Sequence, residues 1–95
     1  MPDRRMEKTL WVARLYVSSR TAAKLSTWHH LSADEVRDAV ECVPGLPFTW
    51  DLHPERGLRA IVKSTIRGRP VLVVLYPAPD PFGDAWNLGS TYHID

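Results

Sequence analysis

The segment from Leu58 to Tyr76 constrains the fold of this chain more than any other part of its sequence. Apolar and polar side chains alternate from Leu58 to Arg67, as expected for a strand with one buried and one solvated face. After the turn at Gly68-Arg69, the continuous apolar run Val71–Tyr76 is typical of a central strand covered on both faces. We therefore predict a hairpin of these two strands as the core of the fold.

A strand and a helix are predicted before this hairpin, near the N-terminus. Thr9–Val17 is rich in β-forming residues and predicts the strand. Ser18 or Ser19 is suited to cap the helix that follows, which we expect to run to about His30. Trp28, near the end of this helix, is expected to pack against the rest of the fold.

A second helix is predicted with a sharper boundary. Ser32 and Glu35 form an S-x-x-E capping box, in which each side chain bonds the backbone N–H group of the other residue. The apolar residues that follow recur at helical spacing as far as Val43, and Pro44-Gly45 ends the pattern. Cys42 is therefore expected to lie inside this helix as a small packing residue.

Two more strands complete the predicted sheet. Phe48–Leu52 alternates before the hairpin, and Ala85–Ile94 alternates after a loop that prolines interrupt. The predicted order is β-α-α-β-β-β-β, an α+β fold in which two N-terminal helices pack on a small, mainly antiparallel sheet. A chain of 95 residues supplies one core, so residues 9–95 are predicted to form a single domain after a charged arm, residues 1–8.

Composition and missing motifs exclude several classes of protein. With 44% hydrophobic residues, 24% charged residues and no long apolar run, neither a disordered nor a membrane-spanning chain is expected. The single cysteine, Cys42, fits a cytoplasmic location, and the sequence lacks a phosphate-binding glycine loop, a Cys-x-x-Cys pair and a G-x-S-x-G segment. His29 and His30 point in different directions on a helix, and the other histidines, His53 and His93, are isolated. We therefore expect no metal and no cofactor.

Positive charge on the predicted sheet marks the best candidate for a functional site. Arg59, Lys63 and Arg67 fall on one side of a strand, about 6.6 Å or more apart, near the phosphate spacing of single-stranded RNA. We call these three residues the basic strand face. Arg69 adds a cation in the turn, and Tyr92 offers a ring on which a base can stack. A solvated sheet surface without a ligand explains the same spacing and stays open as an alternative.

Three short segments together resemble the BrnT-like toxins of type II toxin-antitoxin systems, which share the compact RelE-like ribonuclease fold. They are the helix junction His29–Val36, the strand segment Glu55–Val62, and the turn with its apolar strand, Arg67–Val74. His29 matches a histidine that precedes the second helix of the family. Arg59 matches the arginine that opens the second sheet strand of the family.

This resemblance implies metal-independent cleavage of RNA, in which the ribose 2′-hydroxyl attacks the adjacent phosphate. Under it, the candidate catalytic residues are Arg59, His93 and His29, and the candidate RNA-binding residues are Lys63, Arg67, Arg69 and Tyr92. A toxin of this kind cleaves mRNA, either free or on the ribosome, and arrests growth. Its implied protein partner is a cognate antitoxin that covers the basic face.

A non-catalytic function is the main alternative. The last strand of the family closes with a Ser-Ala-Arg segment, whereas here Ser90-Thr91 is followed by Tyr92-His93. A chain that keeps the fold without that arginine would serve as a protein-interaction module, such as a degenerate toxin or a small phage or host regulator that binds a host protein. A nucleic-acid-binding domain without catalysis is less favoured by a net charge of +1. The acidic helix that starts at Ser32 complements the basic strand face of a second copy, which makes a homodimer an option.

Overall fold

Two helices pack against a six-stranded mixed sheet in the computed structural model of this chain, which describes residues 8–94. The elements follow in the order β1 (Thr9–Leu10), β2 (Arg14–Tyr16), α1 (Ser19–Lys24), a π-helical turn (Leu25–His29), α2 (Ala33–Val40), β3 (Leu46–His53), β4 (Gly57–Ile66), β5 (Arg69–Pro77) and β6 (Ala85–His93). The prediction of an α+β chain with two helices and a sheet is therefore confirmed. Apart from Lys8, the predicted charged arm lies outside the described residues.

The predicted hairpin of β4 and β5 lies at the centre of the sheet, whose strand order is β1-β3-β4-β5-β6-β2. Its turn comes one residue earlier than predicted, because Ile66 pairs with Arg69 and the turn consists of Arg67 and Gly68. These two residues have φ values of 53° and 75°, and two positive φ values are what a tight type I′ hairpin turn requires. Arg67 therefore does not belong to the strand, and the prediction that it continues the strand alternation is wrong.

One face of the sheet and the helices share an apolar core, which contains Val36, Ala39, Val40, Ala60, Val62, Val71, Val73 and Leu75. Ser64 lies on the same face of β4 and donates a hydrogen bond of 2.7 Å to the backbone carbonyl of Ala39 in α2. The opposite face, which we call the open face, carries the half-buried Ile61 and the exposed Lys63. The predicted alternation of this strand is confirmed from Ala60 to Ile66, whereas Leu58, predicted on the buried face, is exposed.

The predicted first strand, Thr9–Val17, is wrong as a single element. β1 pairs antiparallel with β3 at one edge of the sheet, and β2 pairs parallel with β6 at the other edge. The chain crosses the core between these edges, and Val12 in the crossing segment is fully buried. The β-forming composition of the segment predicts extended backbone locally. It does not predict that the two ends of the segment pair with opposite edges of the sheet.

The second helix, α2, begins as predicted but ends early. The Ser32 hydroxyl accepts a hydrogen bond from the Glu35 backbone N–H (3.1 Å), and the Glu35 carboxylate accepts one from the Ser32 N–H (3.0 Å). The helix ends at Val40, and Cys42 is exposed with a φ of 58°, so its prediction as a packing residue inside the helix is wrong. The Cys42 N–H donates to the carbonyl of Val12 at 2.7 Å, so a bond to the crossing segment replaces another helical turn.

Candidate functional site

A cavity of about 400 Å³ lies where the helix junction, the β4–β5 turn and the end of β6 meet. Its lining includes His29, His30, Arg67, Arg69 and His93. We call it the histidine cavity. Four of the predicted site residues therefore come together here, although they belong to three separate segments of the chain.

His29 reaches the histidine cavity from the π-helical turn that continues α1. Such turns are rare, and they occur frequently at functional sites. The turn is followed by His30, whose backbone is left-handed with φ 55° and ψ 39°. Arg67, in the same cavity, also has a positive φ. Left-handed backbone at residues other than glycine costs free energy, so the cavity is bordered by two strained positions.

The imidazole rings of His29 and His93 lie close together, with centroids 6.1 Å apart and planes at 61°. The ring of Tyr92 also contacts His29, edge to face, at 5.9 Å. Nε2 of His93 is 3.3 Å from the backbone carbonyl oxygen of His29. A neutral His93 that donates from Nε2 keeps the lone pair on Nδ1, which is then able to accept a proton. The two imidazoles are near enough to reach different atoms of one phosphodiester.

Arg67 binds the start of α2, so its charge is already partnered. Its Nε donates to Glu35 Oε2 at 2.5 Å, and its Nη2 donates to Glu35 Oε1 at 2.8 Å and to the His30 carbonyl at 3.3 Å. The hydrogen bonds from Arg67 and from the Ser32 backbone hold the pKa of Glu35 below its ordinary value. By contrast, no carboxylate among residues 8–94 lies within ion-pair distance of Arg69. Arg69 is thus the cation of this cavity that remains available to an anion.

Arg59, predicted as a catalytic residue, does not line the histidine cavity. On the open face, its Nε donates to Asp51 Oδ2 at 2.7 Å, and its Nη1 donates to the Tyr76 hydroxyl at 3.3 Å. The contacts with Tyr76 and Asp51 raise the pKa of the Arg59 guanidinium, which stays charged at any working pH. Lys63 is exposed on the same face, in a row across the sheet with Tyr92. The basic strand face is therefore reduced to two cations, Arg59 and Lys63.

A second cavity, of about 300 Å³, lies between α1, the π-helical turn and β6. Its lining includes Lys24, Trp28, His29, Arg56, Ser90 and Tyr92. We call it the Trp28 cavity. Because His29 lines both cavities, the two are neighbours that share one imidazole.

Lys24, Trp28 and Arg56 are not among the site residues predicted from the sequence. Trp28 is 73% exposed, so the prediction that it packs against the fold is wrong. The sequence carried no signal for this exposure, because Trp28 follows the buried Leu25 by three residues, a spacing that places both on one side of a regular helix, whereas the segment is π-helical. Arg56 lies in the turn between β3 and β4, and its proximity to Trp28 depends on how these strands pair. The sequence contains no local signal that predicts this proximity.

Comparisons with protein-family models, with curated proteins and with solved structures found no match to this chain. The resemblance to BrnT-like toxins therefore stays a prediction. Residues 8–94 contain no group of three or more histidine, cysteine or acidic side chains placed to hold a metal ion. None of the helices in the described part of the chain is long and apolar enough to cross a membrane.

Proposed function

We propose that this chain is a metal-independent endoribonuclease whose reaction takes place in the histidine cavity. The observation that carries this proposal is the meeting of His29 and His93, with ring centroids 6.1 Å apart, beside Arg69, which has no carboxylate within ion-pair distance among residues 8–94. Cleavage of RNA through its own 2′-hydroxyl needs a proton acceptor, a proton donor and positive charge for the crowded phosphate. These three side chains supply all of these requirements.

In the proposed reaction, the 2′-hydroxyl oxygen attacks the adjacent phosphorus while one imidazole takes its proton. The bond from phosphorus to the 5′-oxygen breaks, and the other imidazole gives that oxygen a proton. The products are a 2′,3′-cyclic phosphate and a 5′-hydroxyl. His93 is favoured as the base because its Nε2 is held by the His29 carbonyl, which leaves Nδ1 to accept the proton. Arg69 stabilises the additional negative charge on the phosphorane.

Residues outside the cavity are proposed to hold the RNA strand. Lys63 and Tyr92 lie on the open face, beside the cavity, where they offer a cation and a stacking surface. Arg59 contributes positive charge to this path, and Arg67 positions the helix junction through Glu35. Together with the resemblance at the helix junction and the Gly-Arg turn, this arrangement supports the role of a cytoplasmic toxin that cleaves mRNA. A cognate antitoxin is its proposed protein partner.

The proposal is tested with purified wild-type protein and with the variants His29→Gln and His93→Gln. Each substitution is expected to slow cleavage of a single-stranded RNA about 100-fold or more, because general acid–base catalysis typically contributes that much. Cleavage by the wild type should continue in EDTA and leave 2′,3′-cyclic phosphate ends, read by mass spectrometry of the fragments.

The matched control for this test is His53→Asn. The His53 imidazole accepts hydrogen bonds from the backbone N–H groups of Glu55 and Arg56, and an asparagine carbonyl can accept the same bonds. This variant should cleave RNA like the wild type, and all variants should keep the wild-type circular dichroism spectrum. Intact RNA after incubation with folded wild type, or full activity in a His29→Gln, His93→Gln double variant, would contradict the proposal.

A non-catalytic protein-interaction module is a second candidate function, which a different observation favours. Leu52 and Leu58 face each other across β3 and β4, and they are 72% and 50% exposed, next to Trp50 at 43%. Adjacent exposed apolar side chains of this size are typical of a protein contact. This function is tested by incubating the wild type with RNA and by measuring its binding to a defined host protein. Intact RNA, stoichiometric binding of that protein, and loss of the binding in a Leu52→Ser, Leu58→Ser variant would together support this function over the ribonuclease.

A further inference from the structure

We infer that the Trp28 cavity binds one nucleotide of the RNA strand, with its base against Trp28 and its phosphate between Lys24 and Arg56. This inference deepens the proposed function and rests on it for the identity of the strand. It adds a binding site that would decide which nucleotide lies beside the bond that is cut.

The stacking surface is the indole ring of Trp28. This side chain belongs to the π-helical turn, lines the cavity and is 73% exposed. Burial against a planar partner would remove much apolar area from water, and every nucleobase offers such a plane. Lys24 lies four residues earlier on the continuous helical segment and therefore on the same side.

The charge of the cavity is positive, which selects an anion. Lys24 and Arg56 line it, and no aspartate or glutamate among residues 8–94 does. The guanidinium carbon of Arg56 lies 4.6 Å from the centroid of the Tyr76 ring, so this cation is held in place without a carboxylate partner among residues 8–94. A positioned arginine and a flexible lysine suit the oxygens of a phosphate.

The floor of the cavity includes β6 at Gly89 and Ser90. A methyl group at Gly89 would come within 2.6 Å of Cε2 of Tyr76, so the absence of a side chain lets that ring pack closely beneath Arg56. The Ser90 hydroxyl lies 3.0 Å from the Tyr92 hydroxyl, and this pair supplies polar groups for a sugar or a base edge. A volume of about 300 Å³ is at the small end of ligand sites, which suits one nucleotide.

The position of the cavity connects it with the proposed reaction. His29 lines both cavities, so a nucleotide in the Trp28 cavity has its neighbour in the strand at the histidine cavity. Contacts with one base next to the cut phosphate would lower KM for RNA that carries the preferred base. They would leave the proton transfers themselves unchanged.

The direct test is calorimetric titration of the protein with each of the four nucleoside 5′-monophosphates, with adenosine and with ribose 5-phosphate. We expect a monophosphate to bind more tightly than adenosine or ribose 5-phosphate, because it engages both the ring and the cations. Trp28→Ala should weaken that binding about tenfold or more, the usual effect of removing one stacking ring. The double variant Lys24→Gln, Arg56→Gln should reduce binding of the monophosphate to the level of adenosine.

Two exposed residues outside the cavity provide matched controls. Phe82→Ala removes an aromatic ring that is 84% exposed in the loop before β6, and Arg20→Gln removes a cation from α1. Both should bind nucleotides like the wild type. No nucleotide binding by the wild type, or unchanged binding by Trp28→Ala, would overturn the inference.

Cleavage assays on the same proteins separate this inference from the proposed function. Wild type that cleaves RNA, with an unchanged KM in Trp28→Ala, would overturn the Trp28 site and leave the ribonuclease proposal standing. Wild type that binds a monophosphate through Trp28 without cleaving RNA would support the site alone. His93→Gln should lose cleavage and keep nucleotide binding if both are correct.

Discussion

Thr91 is a polar residue buried in the core of the described residues. It is completely buried in β6, and its hydroxyl has no hydrogen-bond partner among the described residues. A buried hydroxyl without a partner carries an uncompensated desolvation cost. Its β-branched shape suits a strand, and valine has the same shape.

Thr91→Val is expected to raise the free energy of unfolding by about 1 kcal/mol, because it replaces an unpaired hydroxyl by a methyl group of similar size. Urea titration followed by circular dichroism measures this change. The matched control is Thr65→Val, an exposed position on β4 where the change should stay within about 0.5 kcal/mol. A Thr91→Val variant that is less stable than the wild type would indicate that the hydroxyl has a partner after all.

Single residues of the candidate site were predictable to different degrees. His29 stood out because it lies at a recognisable helix junction, and Arg69 stood out because it follows the turn glycine Gly68. The hydrogen-bond partners of Arg59 and Arg67 could not be predicted from the sequence. Strand pairing and packing bring Asp51, Tyr76 and Glu35 to these arginines. Charge and alternation place a side chain on a face, but they do not identify the group that neutralises it.

Among the elements, α2 depends most clearly on a local signal, its capping box. Ser32→Ala removes the side chain that accepts from the Glu35 backbone N–H, and the loss is expected to cost about 1 kcal/mol of stability. Asp38→Ala, at an exposed position of the same helix, provides the control and should have a smaller effect. Thermal unfolding of the two variants side by side gives the comparison, and equal effects would mean that the cap contributes little.

Elements with strong periodicity were predicted well, and elements set by distant partners were not. The alternation of β4 and the apolar run of β5 predicted their hairpin, since both patterns depend only on neighbouring residues. The division of the first strand into β1 and β2 depends on two opposite sheet edges, which local composition does not encode. The early end of α2 likewise depends on a hydrogen bond from Cys42 to Val12 in a separate segment.

For the molecule as a whole, the Glu35–Arg67 contact joins the helices to the hairpin turn and makes stability depend on pH. The lowered pKa of Glu35 means that the folded state binds this proton less readily than the unfolded state. Its stabilisation is therefore complete above the ordinary value of 4.5 and is lost as the pH falls through the lower pKa of the folded protein.

Glu35→Gln tests this pH dependence, because glutamine keeps the capping box but removes the charge. The wild type should be more stable than the variant at neutral pH, and the difference should shrink below about pH 4.5. Melting temperatures of both proteins between pH 7 and pH 3 provide the measurement, with Asp38→Asn as a control that should follow the wild type. A difference that is constant across this range would show that Glu35 acts without its charge.

The candidate site also belongs to the whole molecule, which limits what the sequence alone could predict. His29, Arg69 and His93 come from the helix junction, the start of β5 and the last strand, and only the finished sheet brings them together. The sequence supplied the chemical types of these residues. Their mutual distances follow from topology.

The parallel pair of β2 and β6 has a consequence for how the molecule reaches this state. Most of the chain separates the two strands, so their pairing closes a long loop and contributes to slow folding. Until residues 85–93 are in place, β2 has no strand beside it, and β5 is left as a long apolar edge. Such an edge readily pairs with other chains. Molecules that have not yet added β6, or have lost it by proteolysis, are therefore expected to aggregate rather than to act as shortened versions of the protein.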